Sequence, residues 1–347
     1  MRILHARAYP RAGLVGNPSD GYHGKTISVS LRNFHAEVVL YEWDTVEILS
    51  RHQDRTRFGS VTELCRDVEL HGYYGGERLV KAAIKRFVEF CDRRKWPLSG
   101  QNFSIRYETN IPRNVGLAGS SAIIVATLRA LSEYYRVEIP REVLPSLALS
   151  VERDELHIPA GLQDRVVQVY EGLVYMDFSE AATTWHDGLE CGMYEPLSPS
   201  HLPPLYVAYS QDLGEPTEVF HNDLRERFRS GDPRVLEAMR QFALLTEAGR
   251  AAILAGDAGE LGRIMNANFD LRQSICRLNP RHVAMVNAAR ATGASAKFAG
   301  SGGAIVGVCD DEQMFHKLQE RLAPLRCTVL RAQIGPETDE KSAIPEV

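Results

Sequence analysis

The stretch IPRNVGLAGSSAIIVATLRAL, Ile111–Leu131, constrains this chain more than any other. A proline turn leads into two glycines and two serines, which lie directly against an apolar helical pattern. Glycine tolerates positive φ and lets the backbone approach another group closely. A helix start presents unpaired N–H groups and a partial positive charge. Two readings follow from the residues alone. Either Ser120 or Ser121 caps an ordinary loop-to-helix junction, or the stretch cradles phosphate. It lacks the spacing and lysine of GxxxxGK[ST], and it lacks the GxGxxG spacing. The pattern predicts a helix from about Ser120 to Tyr135.

The surrounding pattern is mixed. TISVSL and AEVVLYEWDTVEIL read as strands within Ile3–Ser50, and YPRAGLVGNPSDGYHG before them reads as a loop. Gly76–Lys95 has helical apolar spacing with basic residues near its end. NFSIRYE is a short strand. REVLPSLALSVERDEL is a helix candidate interrupted by Pro145, and LVYMDF is a strand. PLYVAYS is another strand, followed by a helical region from about Val219 to Arg290 with breaks near Gly231, Gly256 and Pro280. ASAKFAGSGGAIVGVC reads as strand, glycine turn, strand. DEQMFHKLQERLA is a helix and CTVLRAQI a strand.

Strands arrive in adjacent pairs, which predicts an α+β fold rather than a run of βαβ units. A length of 347 residues points to two domains, or to one with a large extension. The proline-bearing segment Pro196–Pro204 is the expected boundary. It divides the chain into 1–195, 196–335 and a mobile tail, 336–347.

A net charge of −5, from 40 basic and 45 acidic residues, argues against non-specific nucleic-acid binding. No run approaches the ~20 apolar residues of a membrane span, and MRILHARAYPRAG carries no signal-peptide pattern. Six scattered cysteines without CxxC, and histidines without HExxH, disfavour zinc or a disulfide framework. A cytoplasmic protein is the expectation.

Three further stretches carry candidate chemistry. KFAGSGGAIVGV sets Gly300, Gly302 and Gly303 between apolar runs, as a hairpin turn or as a loop pressed on phosphates. VERDELHIPAGLQDR places Glu152 and Asp164 among apolar residues. There they form caps or salt bridges, or one of them orients an attacking hydroxyl. Arg11, Asn17, Ser19 and Asp20 follow a strand in a Pro/Gly loop, suiting turn chemistry or sugar hydroxyls.

The order of these stretches resembles the motifs of the GHMP small-molecule kinases, over about Ala8 to Val308. AYPRAGLVGNPSDGY resembles their substrate loop, PRNVGLAGSSA their phosphate loop, and KFAGSGGA their third glycine motif. Within that superfamily, GLVGNPSD, GLAGSSAI and AGLQDRVVQVYEGLVYMDF are most similar to glucuronokinases. Galactokinases usually have Glu-His where this chain has Asn17-Pro18.

The resemblance implies two domains with an ATP site between them, one like ribosomal protein S5 domain 2 and one ferredoxin-like. It implies an ATP- and Mg²⁺-dependent sugar 1-kinase acting on a uronic acid, most similar to one that converts D-glucuronate to glucuronate 1-phosphate. Another sugar, or a catalytically silent sensor, is the alternative. Carried over by motif, Asp164 and Arg11 are the catalytic pair. Gly116, Leu117, Ala118, Gly119, Ser120, Ser121 and Ala122, with Gly300, Gly302 and Gly303, hold the nucleotide. Arg11, Asn17, Ser19, Asp20 and Asp164 meet the sugar, and Ser121 and Glu152 hold the metal. Arg165, Lys25 and Arg113 are the candidate cations for a substrate carboxylate. The expected partner is a small-molecule sugar, with neither nucleic acid nor membrane, and the expected protein a monomer or homodimer.

Overall fold

The computed structural model describes residues 2–49, 76–98, 100–210 and 218–335, with side chains from 224 onward in the helix that begins at Glu218. The expected tail, 336–347, and Cys65 lie outside the described residues. Strands β1 (Ile3–Ala8), β2 (Arg11–Val15), β3 (Lys25–Ser30), β4 (Ala36–Trp43) and β5 (Glu47–Leu49) come first. Helix α1 (Gly76–Arg93), strand β6 (Asn102–Thr109) and helix α2 (Gly119–Tyr135) follow. Next come α3 (Leu144–Ser150), α4 (Gln163–Tyr170) and strands β7 (Leu173–Asp177), β8 (Thr184–His186), β9 (Leu189–Cys191) and β10 (Met193–Leu197). The remainder is β11 (Leu205–Ser210), α5 (Glu218–Arg229), α6 (Pro233–Ala255), α7 (Ala258–Ile275), α8 (Pro280–Arg290), β12 (Lys297–Phe298), β13 (Ala304–Val308), α9 (Glu312–Leu322) and β14 (Cys327–Arg331).

Among the described residues these strands form sheets of order β1-β4-β6-β5, β10-β7-β3-β2 and β12-β13-β11-β14, plus the β8-β9 ribbon. Pairing is antiparallel except between β5 and β6. The two N-terminal sheets end at β10, which pairs with β7 through Leu197, and Leu205 opens the third sheet. A boundary drawn at 195/196 falls inside β10, so the change of sheet lies a few residues later. One hydrophobic core runs through both parts, from Leu14, Ile27 and Leu40 to Leu205, Val207 and Val306. Each such fully buried aliphatic side chain contributes ~2 kcal/mol of transfer free energy.

Two elements differ from the sequence pattern. About a third of the expected N-terminal loop is β2, whose five residues are all buried. Burial of every residue removes the polar alternation that marks a strand. Pro145 does not interrupt a helix either. It sits in the first turn of α3, where its missing N–H costs nothing. That helix runs straight into a π-helical turn, Val151–Glu155, whose wider winding carries Glu152.

Strand β2 organises the centre. It lies at the edge of its sheet, where N–H groups would otherwise stay unpaired. Here the Arg11 N–H donates to the Leu117 carbonyl at 3.3 Å and the Gly13 N–H donates to the Ala299 carbonyl at 2.7 Å. One edge strand therefore clasps both glycine-rich stretches.

Candidate active site

Between these elements lies a cleft of about 300 Å³. Its walls come from β2 and the turn after it, the 111–121 stretch, the 158–165 loop, and residues Arg225, Arg272, Gly300 and Ser301.

The phosphate-loop candidate is built on alternating left-handed residues: Asn114 (φ 57°), Gly116 (φ 73°) and Ala118 (φ 63°). Such winding points successive N–H groups toward one side and forms an anion-binding concavity. Gly116 has no room for a side chain, because a Cβ there would meet Ser301 and the Gly302 carbonyl at 2.7–2.9 Å. Ala118 is the N-cap of α2, so both serines lie inside the first turn and neither occupies the capping position. The capping reading therefore fails. Left-handed alanine costs ~1 kcal/mol, and two donors hold it in place. The Ser121 hydroxyl (3.1 Å) and the Gln168 amide (2.8 Å) both donate to its carbonyl. Because Ser121 is the donor there, its oxygen lone pairs remain for a cation. Ser120 and Ser121 line the cleft, as do Leu117, Ala118 and Gly119, whereas Ala122 is wholly buried behind it.

Arg11 ties the site together. Its Nε donates to Asp164 Oδ1 at 2.6 Å, and its Nη1 donates to the carbonyls of Gly116 (2.7 Å) and Ala299 (3.1 Å). Gly300 packs against the same guanidinium, so a side chain at 300 would displace it. Asp164, at the start of α4, also lies 3.5 Å from Arg165. Arg165 donates to the Gly161 carbonyl at 2.7 Å and forms a buried ion pair with Glu152. Burial, and then the charge of Arg11, hold the Arg165 guanidinium below its ordinary range. An arginine nevertheless stays protonated at neutral pH.

The wall expected to face the acceptor, the acceptor wall, begins at Asn17, Asp20 and Tyr22. The Asp20 carboxylate accepts the Gln163 backbone N–H. Burial, and then the Asp164 charge, raise its pKa from 3.8 to about 6. Ser19 does not reach this wall. It is fully buried, and its hydroxyl donates to the Lys25 carbonyl at 3.1 Å, closing the turn. Gly302 and Gly303 also stand back from the cleft, against His282 and against the 114–115 backbone. Lys25 is elsewhere, paired with Asp177 (3.1 Å) and Glu247 (2.6 Å).

Four residues that the sequence motifs did not single out as site residues complete the frame. Lys297 is buried and donates to the Gly13 carbonyl, to Asn17 Oδ1 and to the Phe298 carbonyl at 2.6–2.9 Å. Those three acceptors match the three protons of an ammonium, although burial and the charges of Arg272 and Arg11 push its pKa well down. Arg272 donates to the Gly300 carbonyl at 2.6 Å. Asn268 accepts from the Gly16 N–H (2.6 Å) and donates to the Asn17 carbonyl (3.1 Å). Arg225, on α5, lies beside Tyr22. A lysine inside the apolar run ASAKFAG is the one signal in the sequence that marks any of them.

Residues 78–172 match the profile of the GHMP kinases N terminal domain, and 250–324 match that of the GHMP kinases C terminal. Over 325 residues the chain is 42% identical to Glucuronokinase 1 of Arabidopsis thaliana, covering 91% of this chain and 88% of that one. The chain belongs to the GHMP kinases. This GHMP kinase is equally 42% identical over 327 residues to Probable glucuronokinase 2 of the same plant, covering 92% of this chain and 87% of that one. Its fold is shared by a Lactococcus lactis galactokinase solved with galactose, at a TM-score of 0.76 and 15% identity, over 96% of this chain and 94% of that one. As a member of a kinase family it transfers phosphoryl from ATP to an alcohol. Among the described residues no helix is long and apolar enough to cross a membrane.

Proposed function

We propose that this GHMP kinase phosphorylates the anomeric hydroxyl of D-glucuronate, consuming ATP and releasing ADP and glucuronate 1-phosphate. One observation carries the chemistry: Asp164 is held 2.6 Å from Arg11, at the junction of the acceptor wall and the phosphate loop. The 42% identity to proteins named glucuronokinase, over nearly the whole chain, supports the choice of sugar.

Phosphoryl transfer depends on alignment and charge stabilisation more than on covalent help. In this reading Asp164 orients the anomeric hydroxyl and takes its proton. Arg11 fixes that carboxylate and faces the charge that develops on the transferred group. The N–H groups around Gly116–Ser121 and the start of α2 receive the ATP phosphates. Asn17 and Asp20 take the sugar hydroxyls.

The donor set also fits Mg²⁺, which keeps most of its shell as water and phosphate and needs one or two hard protein oxygens. Ser121 and Glu152 both line the cleft and would hold it. When bound, the ion neutralises phosphate charge. Glu152 meanwhile has Arg165 as its counter-ion. We further propose that the chain divides functionally near residues 197–205, with the nucleotide and the sugar meeting between the two parts.

The test is ATP-dependent ADP release with glucuronate, galacturonate, galactose and a heptose side by side. Glucuronate is expected to give the highest kcat/KM. A higher value for any other sugar refutes the assignment, and binding of ATP and sugar without turnover marks a sensor instead.

A further inference from the structure

A uronate differs from its parent sugar by a carboxylate, so a cation has to meet it. Of the cleft's arginines, Arg11 is engaged by Asp164 and two carbonyls. Arg165 is engaged by Glu152 and the Gly161 carbonyl. Arg272 binds the carbonyl of Gly300. Lys25 is paired with Asp177 and Glu247 away from the cleft. Arg113 and Arg225 remain, and among the described residues neither forms an ion pair with a carboxylate.

Their surroundings separate them. Arg113 belongs to the arm that leads into the phosphate loop. Arg225 is half-buried on α5, which packs against the acceptor wall through Tyr22. The Tyr22 and Phe228 rings are 4.9 Å apart, and the Arg225 side chain hydrogen-bonds the Tyr22 hydroxyl. On the same wall, the Nζ of Lys297 donates to Asn17 Oδ1 at 2.6 Å. Carbonyls of Gly13 and Phe298 take its other two contacts, so Nζ is ringed by three acceptors and the amide turns its oxygen toward it. Asn17 is left with its NH₂ as the group it can offer a ligand. The wall thus carries a donor amide backed by the buried Lys297 side chain, with a guanidinium beside it that has no carboxylate partner among the described residues.

Resting on the uronate reading above, we propose that Arg225, with the Asn17 amide as second donor, binds the substrate carboxylate and so selects uronates over neutral sugars. A guanidinium meets a carboxylate through two parallel N–H···O bonds, which lysine reproduces only in part.

The experiment compares Arg225→Met, Arg225→Lys and Arg113→Met with the wild type on glucuronate and on its uncharged amide, glucuronamide. Hydrogen bonds to charged groups contribute ~1.5–3 kcal/mol. Arg225→Met is therefore expected to raise the glucuronate KM about 10- to 100-fold at a kcat changed by less than about threefold. Its glucuronamide kcat/KM and ATP KM should stay near the parent values, which also reports correct folding. Arg225→Lys should recover part of the loss, and Arg113→Met should leave the glucuronate KM unmoved. The assignment is overturned if the wild type turns over glucuronate and Arg225→Met keeps its KM, if both substrates weaken in parallel, or if Arg113→Met carries the effect. A wild type inactive on every uronate overturns the functional reading, and this assignment with it.

Discussion

Arg11 with Asp164, and Arg165 with Glu152, place two arginine–carboxylate pairs on one cleft, yet the pairs are built differently. Arg11 reaches its carboxylate at 2.6 Å and binds the carbonyls of both glycine stretches. Releasing Asp164 would leave that frame intact. Arg165 and Glu152 are each about 4% exposed at the side chain, and the Arg165 Nε, itself buried, has no hydrogen-bond partner among the described residues. Removing one member of a buried pair leaves an uncompensated charge and costs ~3–5 kcal/mol. The first pair is thus a fixed scaffold around the carboxylate to which we assign the proton transfer. The second is a charge balance in which Arg165 occupies the position of a counter-ion that a metal could share.

The largest effect separates chemistry from scaffold. Asp164→Asn keeps the shape of the site and removes the proton acceptor, so turnover should fall at least ~10²- to 10⁴-fold. ATP affinity, measured by titration calorimetry, should remain within a few-fold, because the phosphate loop is held by Arg11, Ser121 and Gln168 instead. Near-normal turnover in this variant would sink the role given to Asp164.

The second pair is broken by Glu152→Gln. This variant should lose ~3–5 kcal/mol of stability, and the Mg²⁺ concentration giving half-maximal activity should rise at least ~10-fold. The double variant Glu152→Gln/Arg165→Met removes the stranded charge and should regain much of the stability without regaining the Mg²⁺ midpoint. If the midpoint recovers with the fold, Glu152 is purely structural. Ser121→Ala should shift the same midpoint in the same direction by less. An Mg²⁺ dependence identical to the parent's would remove Ser121 from the metal site.

What the chain made legible follows from how each group is held. Arg11, Asp164 and the 116–121 loop sit where local sequence dictates backbone shape, so their motifs point to the cleft. Ser19 sits in a motif too, yet the turn points its hydroxyl inward to Lys25. Spacing could not show that. Arg225 and Arg272 reach the cleft only because α5 and α7 are docked there by tertiary packing, and on their own helices they look like ordinary charged residues. Strand β2 was hidden for the opposite reason. It is so fully enclosed that its pattern shows no solvent face.

Asp20 gives the subtlest test, because it touches the first pair only through charge. Its pKa is raised from 3.8 to about 6, so between those values the folded state keeps a proton that the unfolded chain has lost. Stability therefore declines as pH rises through that window, by up to ~3 kcal/mol once the group is ionised. Asp20→Asn resembles the protonated form and should not decline. Its thermal stability should match the parent's near pH 4 and exceed it above pH 6, while its sugar KM should exceed the parent's above pH 6 and converge on it near pH 4. In the parent, the sugar KM should climb as pH falls through about 6. The Asp164 charge is one cause of the raised pKa, so in Asp164→Asn both pH effects should move to lower pH. Parallel stability profiles for parent and Asp20→Asn would show that Asp20 is not coupled to folding in this way. A parent sugar KM flat across pH 5–7 would remove its carboxylate from sugar binding.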